Sequence, residues 1–222
     1  MVGTIGILGV GRVGSAVART ALRAGYVVNV AGSGAGSDIE LLVDIIIPGA
    51  RAMSAADVVT DVDLVIVAVP LYKYGNVSPH ILAGKIVIDA MNYWPPVDGR
   101  LHDFENDGRS SSEVISDYFS GSRVVKTLNH IGYHELETDA LPAGSEHRRA
   151  LAVAGDDEAA VGVVRNFIDR LGFDVVHAGP LQAGAAFQPG TAIFGGSYSA
   201  NGLRAELGLT ADTRSLTGAA LG

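Results

Sequence analysis

The sequence predicts an α/β fold, a doubly wound parallel sheet with a small C-terminal extension. Three observations predict it. Short unbroken runs of Val, Ile and Leu, the mark of parallel strands buried on both faces, alternate with segments of helical periodicity. Glycine, at 29 of 222 residues, has about twice its usual share and falls at the ends of these segments. The chain is also strongly apolar, with 48% hydrophobic and 18% charged residues and a mean hydropathy of +0.29. Even so, its longest apolar runs, such as 64–69, fall far below the roughly 18 residues of a membrane span.

Taken in order, residues 5–8 form an apolar run stopped by Gly9. Residues 12–24 carry Val13, Val17, Ala18, Ala21 and Leu22 on one helical face, with Gly25 as the stop. A second β-branched run covers 27–30. Ser37 and Glu40 have capping-box spacing and predict a helix through 41–47 up to Pro48, and 54–59 is a weaker helical segment. Strands follow at 64–69 and 85–90, then a loop over 91–109 rich in Pro, Gly, Asn and Asp. Ser110 and Glu113 predict a second capping box and a helix to about Ser120. Strands at 123–128 and 149–153 precede a helix that starts on Asp156, Asp157 and Glu158 and runs to Leu171. The last strand is 173–177, followed by a Gly/Ala/Pro-rich segment, a short helix at 199–207 and a fraying tail. No internal repeat is visible. The one soft boundary, at residues 178–180, divides a dinucleotide-binding domain, 1–178, from a Gly-rich extension, 179–222.

Charge and composition exclude whole classes. Sixteen basic against 24 acidic residues give a net charge of −8 and a pI near 5.1, which argues against nucleic-acid binding. With no cysteine, disulfides, thiolate metal sites and cysteine nucleophiles are excluded. The opening residues show no basic region of a secretory signal, so we expect a cytoplasmic protein without a membrane partner.

Gly9, Val10, Gly11, Arg12, Val13 and Gly14 form a G-x-G-x-x-G turn between the first strand and the first helix. In that Rossmann-like position the first glycine makes the tight turn, the second lets a pyrophosphate approach the backbone, and the third packs helix on strand. The helix N-terminus offers free amides and a positive dipole end to the anion. At the end of the second strand an NAD site carries Asp or Glu. Here Gly32 and Ser33 stand instead, so no carboxylate repels a 2′-phosphate, and NADP(H) is expected over NAD(H). Ser33 either donates to that phosphate or is an ordinary loop serine. Arg12 either adds charge near the phosphates or is solvated. Asp38 reads as helix-start charge.

With these elements in place, the chain resembles the F420-dependent NADP reductase family, small enzymes that pass a hydride between NADPH and a deazaflavin. It is also similar to the NADPH-oxidising domain of membrane metalloreductases. The resemblance spans about residues 3–190. It rests on 9–14, Gly32-Ser33, 67–70, 87–92, 124–129, 154–157 and 171–181 in order. It departs after Ser33, where Gly34 replaces the arginine that clamps the 2′-phosphate in the family. It departs again at 71–74 and at 93–96, both on the acceptor side.

The resemblance implies that Pro70 and Leu71 wall the nicotinamide, and that Met91 and Asn92, with Asn129 and His130, face the acceptor; Val69, Met91 and Asn92 are also counted among the cofactor contacts. F420 is then the expected co-substrate, and a homodimer the expected assembly. Hydride transfer between stacked rings needs dry, close geometry more than an acid or base, so no catalytic side chain is assigned. His130 and His134 are four apart but lack a third ligand, and no metal is expected. Asn92 and Asn129 have the alternative of capping turns. Tyr93 and Trp94 either stack on a flat substrate or anchor a loop or dimer contact. Residues 184–196 either close over the acceptor or pack on a partner subunit. No G-x-S-x-G elbow supports a serine hydrolase. Two other functions remain open: an NADPH-dependent reductase of a flavin, quinone or imine, and an NADP(H) sensor without turnover.

Overall fold

The computed structural model describes residues 3–62, 64–105 and 108–209. The opening two residues and the tail expected to fray lie outside the described residues, except for its first positions. Eight strands form one sheet: β1 Thr4–Leu8, β2 Val27–Ala31, β3 Arg51–Ala52, β4 Leu64–Val67, β5 Ile86–Asp89, β6 Arg123–Lys126, β7 Ala150–Gly155 and β8 Asp174–Gly179. Their order is β3-β2-β1-β4-β5-β6-β7-β8. The helices are α1 Arg12–Arg23, α2 Gly36–Ile46, α3 Ala55–Val58, α4 Pro95–Asp98, α5 His102–Glu105, α6 Ser111–Tyr118, α7 Tyr133–Thr138, α8 Glu158–Leu171 and α9 Ala200–Glu206.

Strand side chains alternate between two cores, which is the physical content of double winding. Ile5, Ile7, Leu64, Ile66, Ile86 and Ile88 join the core that α1 and α8 cover. Val65, Val67 and Val87 join the one that contains Val58 of α3 and Ile115 of α6. A third cluster joins β7 and β8 to Phe187, Ile193 and Leu203. Both faces of the central strands are therefore dry, as their unbroken apolar runs require.

The fold class is the one expected, with one difference: β7 pairs antiparallel with β6, through Val125↔Gly155 and Lys126↔Ala154. A parallel return needs a crossover helix laid on the sheet. The helix between these strands, α7, packs on α1 instead. Arg19 of α1 pairs with Glu137 of α7, and Thr20 donates to the Leu136 carbonyl at 3.4 Å. The chain therefore returns into β7 from the other direction.

Local rules explain most helix ends. Ser110 accepts from the Glu113 amide at 3.3 Å while Glu113 accepts from the Ser110 amide at 2.7 Å, the expected reciprocal cap. Asp157 caps α8 and Ser199 caps α9. The cap expected on Ser37 is corrected: the N-cap is Ala35, two residues earlier, and Asp38 accepts from the Ala35 amide at 2.9 Å. Asp38 is thus helix-start charge, as read. Structure in the expected loops was not legible: β3, α7, two 3-10 turns at Leu71–Asn76 and Pro79–Leu82, and α4 and α5 inside 91–109.

Candidate active site

The carboxyl ends of β1, β2, β4 and β5 open on two adjoining chambers of about 510 and 480 Å3. The first reaches from Gly9, Val10 and Gly11 to Gly32 and Ser33, and the second from Arg12 and Val13 to Met91 and Asn92. Gly11, Ala68, Val69 and Pro70 line both, so the two form one cleft across the phosphate turn.

The turn is built by close approach. Gly9 adopts φ +114°, where a Cβ would lie 2.5 Å from the Ala68 carbonyl oxygen. A Cβ on Gly14 would lie 1.9 Å from the Gly9 carbonyl oxygen, so only a hydrogen lets α1 seat on the turn. At Gly11 a Cβ would meet nothing within 4 Å, which leaves the cleft side of the turn open. Gly11 is also the N-cap of α1, with no side-chain cap and no acidic residue in the first turn. Bare amides at a positive dipole end, beside open space, fit a pyrophosphate. Steric necessity at Gly9 and Gly14, with freedom at Gly11, is the pattern a dinucleotide site demands.

Most expected cofactor residues meet in this cleft. Gly9, Val10, Gly11, Gly32, Ser33, Val69 and Pro70 line the first chamber, and Arg12, Val13, Leu71, Met91 and Asn92 line the second. Gly14 lies behind the turn as the packing glycine. Arg12 sits with its guanidinium 5.7 Å from the centre of the Tyr133 ring, at the second chamber.

Asn129 and His130 do not join the other expected residues. Neither lines the cleft; both are buried behind it, at 4% and 3% exposure. The Asn129 amide donates to the Asn92 side-chain oxygen at 3.0 Å and to the Phe187 carbonyl at 2.9 Å. Asn92 returns a bond to the Asn129 carbonyl at 2.7 Å. His130 Nε2 accepts from the Ala152 amide at 3.0 Å, which leaves Nδ1 as the protonated nitrogen facing the Asn129 side-chain oxygen at 3.2 Å. Burial, then the charges of Arg149 and Lys126, pull the imidazole down to about 3. His130 is therefore a neutral strut. The bend that sets it there includes Leu128 at φ +64°, a conformation that costs a non-glycine residue about 1–2 kcal/mol.

Charges inside the strands form the second support. Asp89 and Lys126 end β5 and β6 and are wholly buried. Lys126 Nζ donates to Asp89 at 3.2 Å and to the Met91 carbonyl at 2.7 Å. Asp89 also accepts from Ser112 at 2.5 Å and from the Met91 amide at 3.0 Å. Burial draws the Lys126 ammonium below its usual range, against the attraction of Asp89. The sequence signal for this pair was present: a charged residue at the end of an otherwise apolar strand. The pairing itself was invisible, as was the wall that Trp94, Val97 and Asp98 add to the second chamber. Within residues 184–196, Phe187 and Ile193 bury against β7 and β8, and Phe187 backs Asn129.

Among the described residues, no helix is long and apolar enough to cross a membrane, and no three His, Asp or Glu side chains gather to hold a metal.

Comparison with known proteins gives the site its setting. Residues 4–93 match the family described as NADP oxidoreductase, coenzyme F420-dependent. No curated protein matches the chain. A hypothetical protein from Sinorhizobium meliloti is 28% identical, with a TM-score of 0.76 over 89% of this chain and 95% of that one. A candidate F420-dependent NADP reductase from Arthrobacter sp. FB24 is 25% identical, with a TM-score of 0.67 over 82% of this chain and 86% of that one. An imine reductase from Myxococcus stipitatus in complex with NADP+ shares the fold at 19% identity, with a TM-score of 0.57 over 82% of this chain and 57% of that one. By its residues 4–93 the chain resembles the coenzyme F420-dependent NADP oxidoreductase family, as its motifs led us to expect, and NADP-dependent oxidoreductase is the activity class that goes with it.

Proposed function

We propose that the protein transfers a hydride between NADP(H) and the deazaflavin F420, without a side-chain acid or base. The observation that carries this reading is the single cleft formed by two chambers that meet at Gly11, Val69 and Pro70. A dinucleotide laid across that junction has its pyrophosphate at the amides of Arg12 and Val13, its 2′-phosphate near Ser33, and its nicotinamide end against Pro70 and Leu71. NADP(H), when bound, is the carrier of the hydride. The chain's own part is to orient and to exclude water.

The second chamber suits a flat acceptor. Its walls are Val69, Pro70, Leu71, Ala90, Met91 and Trp94 for the most part. Among the described residues, its titratable lining is limited to Arg12, Asp98 and Tyr133. Asp98 is engaged at the start of α4, where it accepts from the Trp94 amide at 2.7 Å. Holding two rings close in a dry site supplies much of the rate by itself, because the hydride carries both electrons.

Reduction of an imine is the second reading, favoured by one feature. An imine nitrogen needs a proton, and among the described residues Tyr133 places the one hydroxyl on the lining of this chamber. Anaerobic turnover with NADPH or NADH against F420, FMN, riboflavin, a quinone and a cyclic imine separates the readings. Loss of NADPH absorbance only with F420 supports the first, and loss only with the imine supports the second. Tight NADPH binding with no turnover on any acceptor makes the protein a sensor and sinks both. In Ser33→Asp the preference for NADPH falls, since a carboxylate then faces the 2′-phosphate.

A further inference from the structure

The first chamber has an unusual charge pattern. Of the seventeen described residues that line it, one carries a formal charge, and that residue is Lys73. Lys73 lies in the 3-10 turn Leu71–Asn76, forty residues beyond Ser33 in sequence, yet both face the same space. The family that the chain resembles places an arginine directly after this serine, where the chain has Gly34. A Cβ on Gly34 would lie 2.5 Å from the Asp38 carboxylate, so a side chain at this position would have to turn Asp38 away from the Ala35 amide. Asp38 itself is turned to the Ala35 amide, at the positive end of α2, and does not line the chamber.

We propose that Lys73 supplies the positive charge that recognises the 2′-phosphate of NADP(H), and so sets the preference for NADP(H) over NAD(H). The proposal rests on the dinucleotide reading of the cleft given above. A phosphomonoester carries close to two negative charges near neutrality and three strong acceptor oxygens. Ser33 alone offers it one neutral donor. Lys73 adds the charge, and it rises from a firm base. Leu71 is buried beside it, and the Lys73 amide bonds to the Pro70 carbonyl at 2.8 Å. Tyr74 packs edge-on against Phe104 and Tyr118, with ring centres 5.5 and 4.9 Å apart. The Tyr118 hydroxyl donates to the carbonyls of Gly75 and Val77 at 3.0 and 3.2 Å. The turn is thus held on both sides of Lys73, while the ammonium rests 5.5 Å from the centre of the exposed Tyr72 ring.

The test is equilibrium binding of NADP+ and NAD+, and of 2′,5′-ADP and 5′-AMP, to the full chain and to Lys73→Ala, Lys73→Arg and Lys73→Glu. A charge-assisted contact predicts that the NADP+/NAD+ affinity ratio falls about tenfold to a hundredfold in Lys73→Ala. It further predicts that Lys73→Arg recovers the ratio to within a few fold, and that Lys73→Glu inverts it. The salt dependence of 2′,5′-ADP binding should weaken in Lys73→Ala and Lys73→Glu and be kept in Lys73→Arg. A ratio unchanged in Lys73→Ala, or equal weakening for all four ligands, overturns the proposal and leaves Lys73 a solvated lysine. A wild-type chain that binds all four ligands without preference overturns it too, while the cleft reading stands. A wild-type chain that binds none of them overturns both. Thermal unfolding within a few degrees of wild type shows that each variant is folded.

Discussion

The Lys126 ammonium lies 3.2 Å from the Asp89 carboxylate, with both side chains fully buried, and holds the Met91 carbonyl at 2.7 Å on its other side. This pair fixes the backbone at the exact point where β5 hands over to the floor of the second chamber. A buried pair of this kind specifies geometry at a site more surely than it adds stability, since desolvation of both charges offsets their attraction.

Breaking the pair on one side should therefore cost more than removing it. Lys126→Met leaves Asp89 buried with Ser112 and the Met91 amide as its remaining partners. We expect a loss of about 3–5 kcal/mol in urea unfolding. The double variant Asp89→Asn with Lys126→Met should recover a large part of that. A double variant no more stable than the single one would contradict this account.

The glycines of the phosphate turn should separate folding from binding. Gly14→Ala forces a methyl group onto the Gly9 carbonyl and should destabilise by about 1–3 kcal/mol. Gly11→Ala meets no protein atom within 4 Å and should cost under about 1 kcal/mol, the difference between the two residues at an N-cap. Its methyl group would stand where the pyrophosphate comes. Calorimetric titration should then show NADPH binding lost in a chain that unfolds almost normally.

His130 sets an acid limit on stability. Its imidazole titrates near 6.5 when unfolded and about 3 when folded. Between those values the unfolded chain binds the additional proton. Stability from this residue is thus fully present above the unfolded value and declines as pH falls, by about 1.4 kcal/mol per pH unit. Urea midpoints measured across that window check the slope. In His130→Gln the slope should drop by one proton, and any pH dependence of turnover above neutrality should be unaffected by this group.

Trp94, the single tryptophan, is 51% exposed and lines the second chamber. Its fluorescence should be quenched when a planar acceptor binds. Trp94→Ala should raise KM for the acceptor about twofold to tenfold, the worth of one stacking contact, with kcat nearly constant. Quenching by NADPH alone, with no further change on adding acceptor, would place the acceptor elsewhere.

Strand runs, the G-x-G-x-x-G turn, the Ser110–Glu113 cap and the stop at Gly25 were all readable from sequence. Each is decided within a few residues, by periodicity, a cap's reach, or a backbone angle that only glycine takes easily. The same holds for the absence of a carboxylate after β2, visible at Gly32 and Ser33. Asn92 entered the cleft as expected because it follows directly on β5. Asn129 and His130 follow directly on β6 and did not, because the bend at Leu128 and the backing by Phe187, fifty-eight residues away from Asn129, turn them inward. The reversal of β7, the meeting of Asp89 with Lys126 across thirty-seven residues, and the placing of Lys73 on the same chamber as Ser33 share that origin. They depend on which elements pack together, and packing is settled by the whole core at once, through contacts that carry no local pattern for a sequence to display.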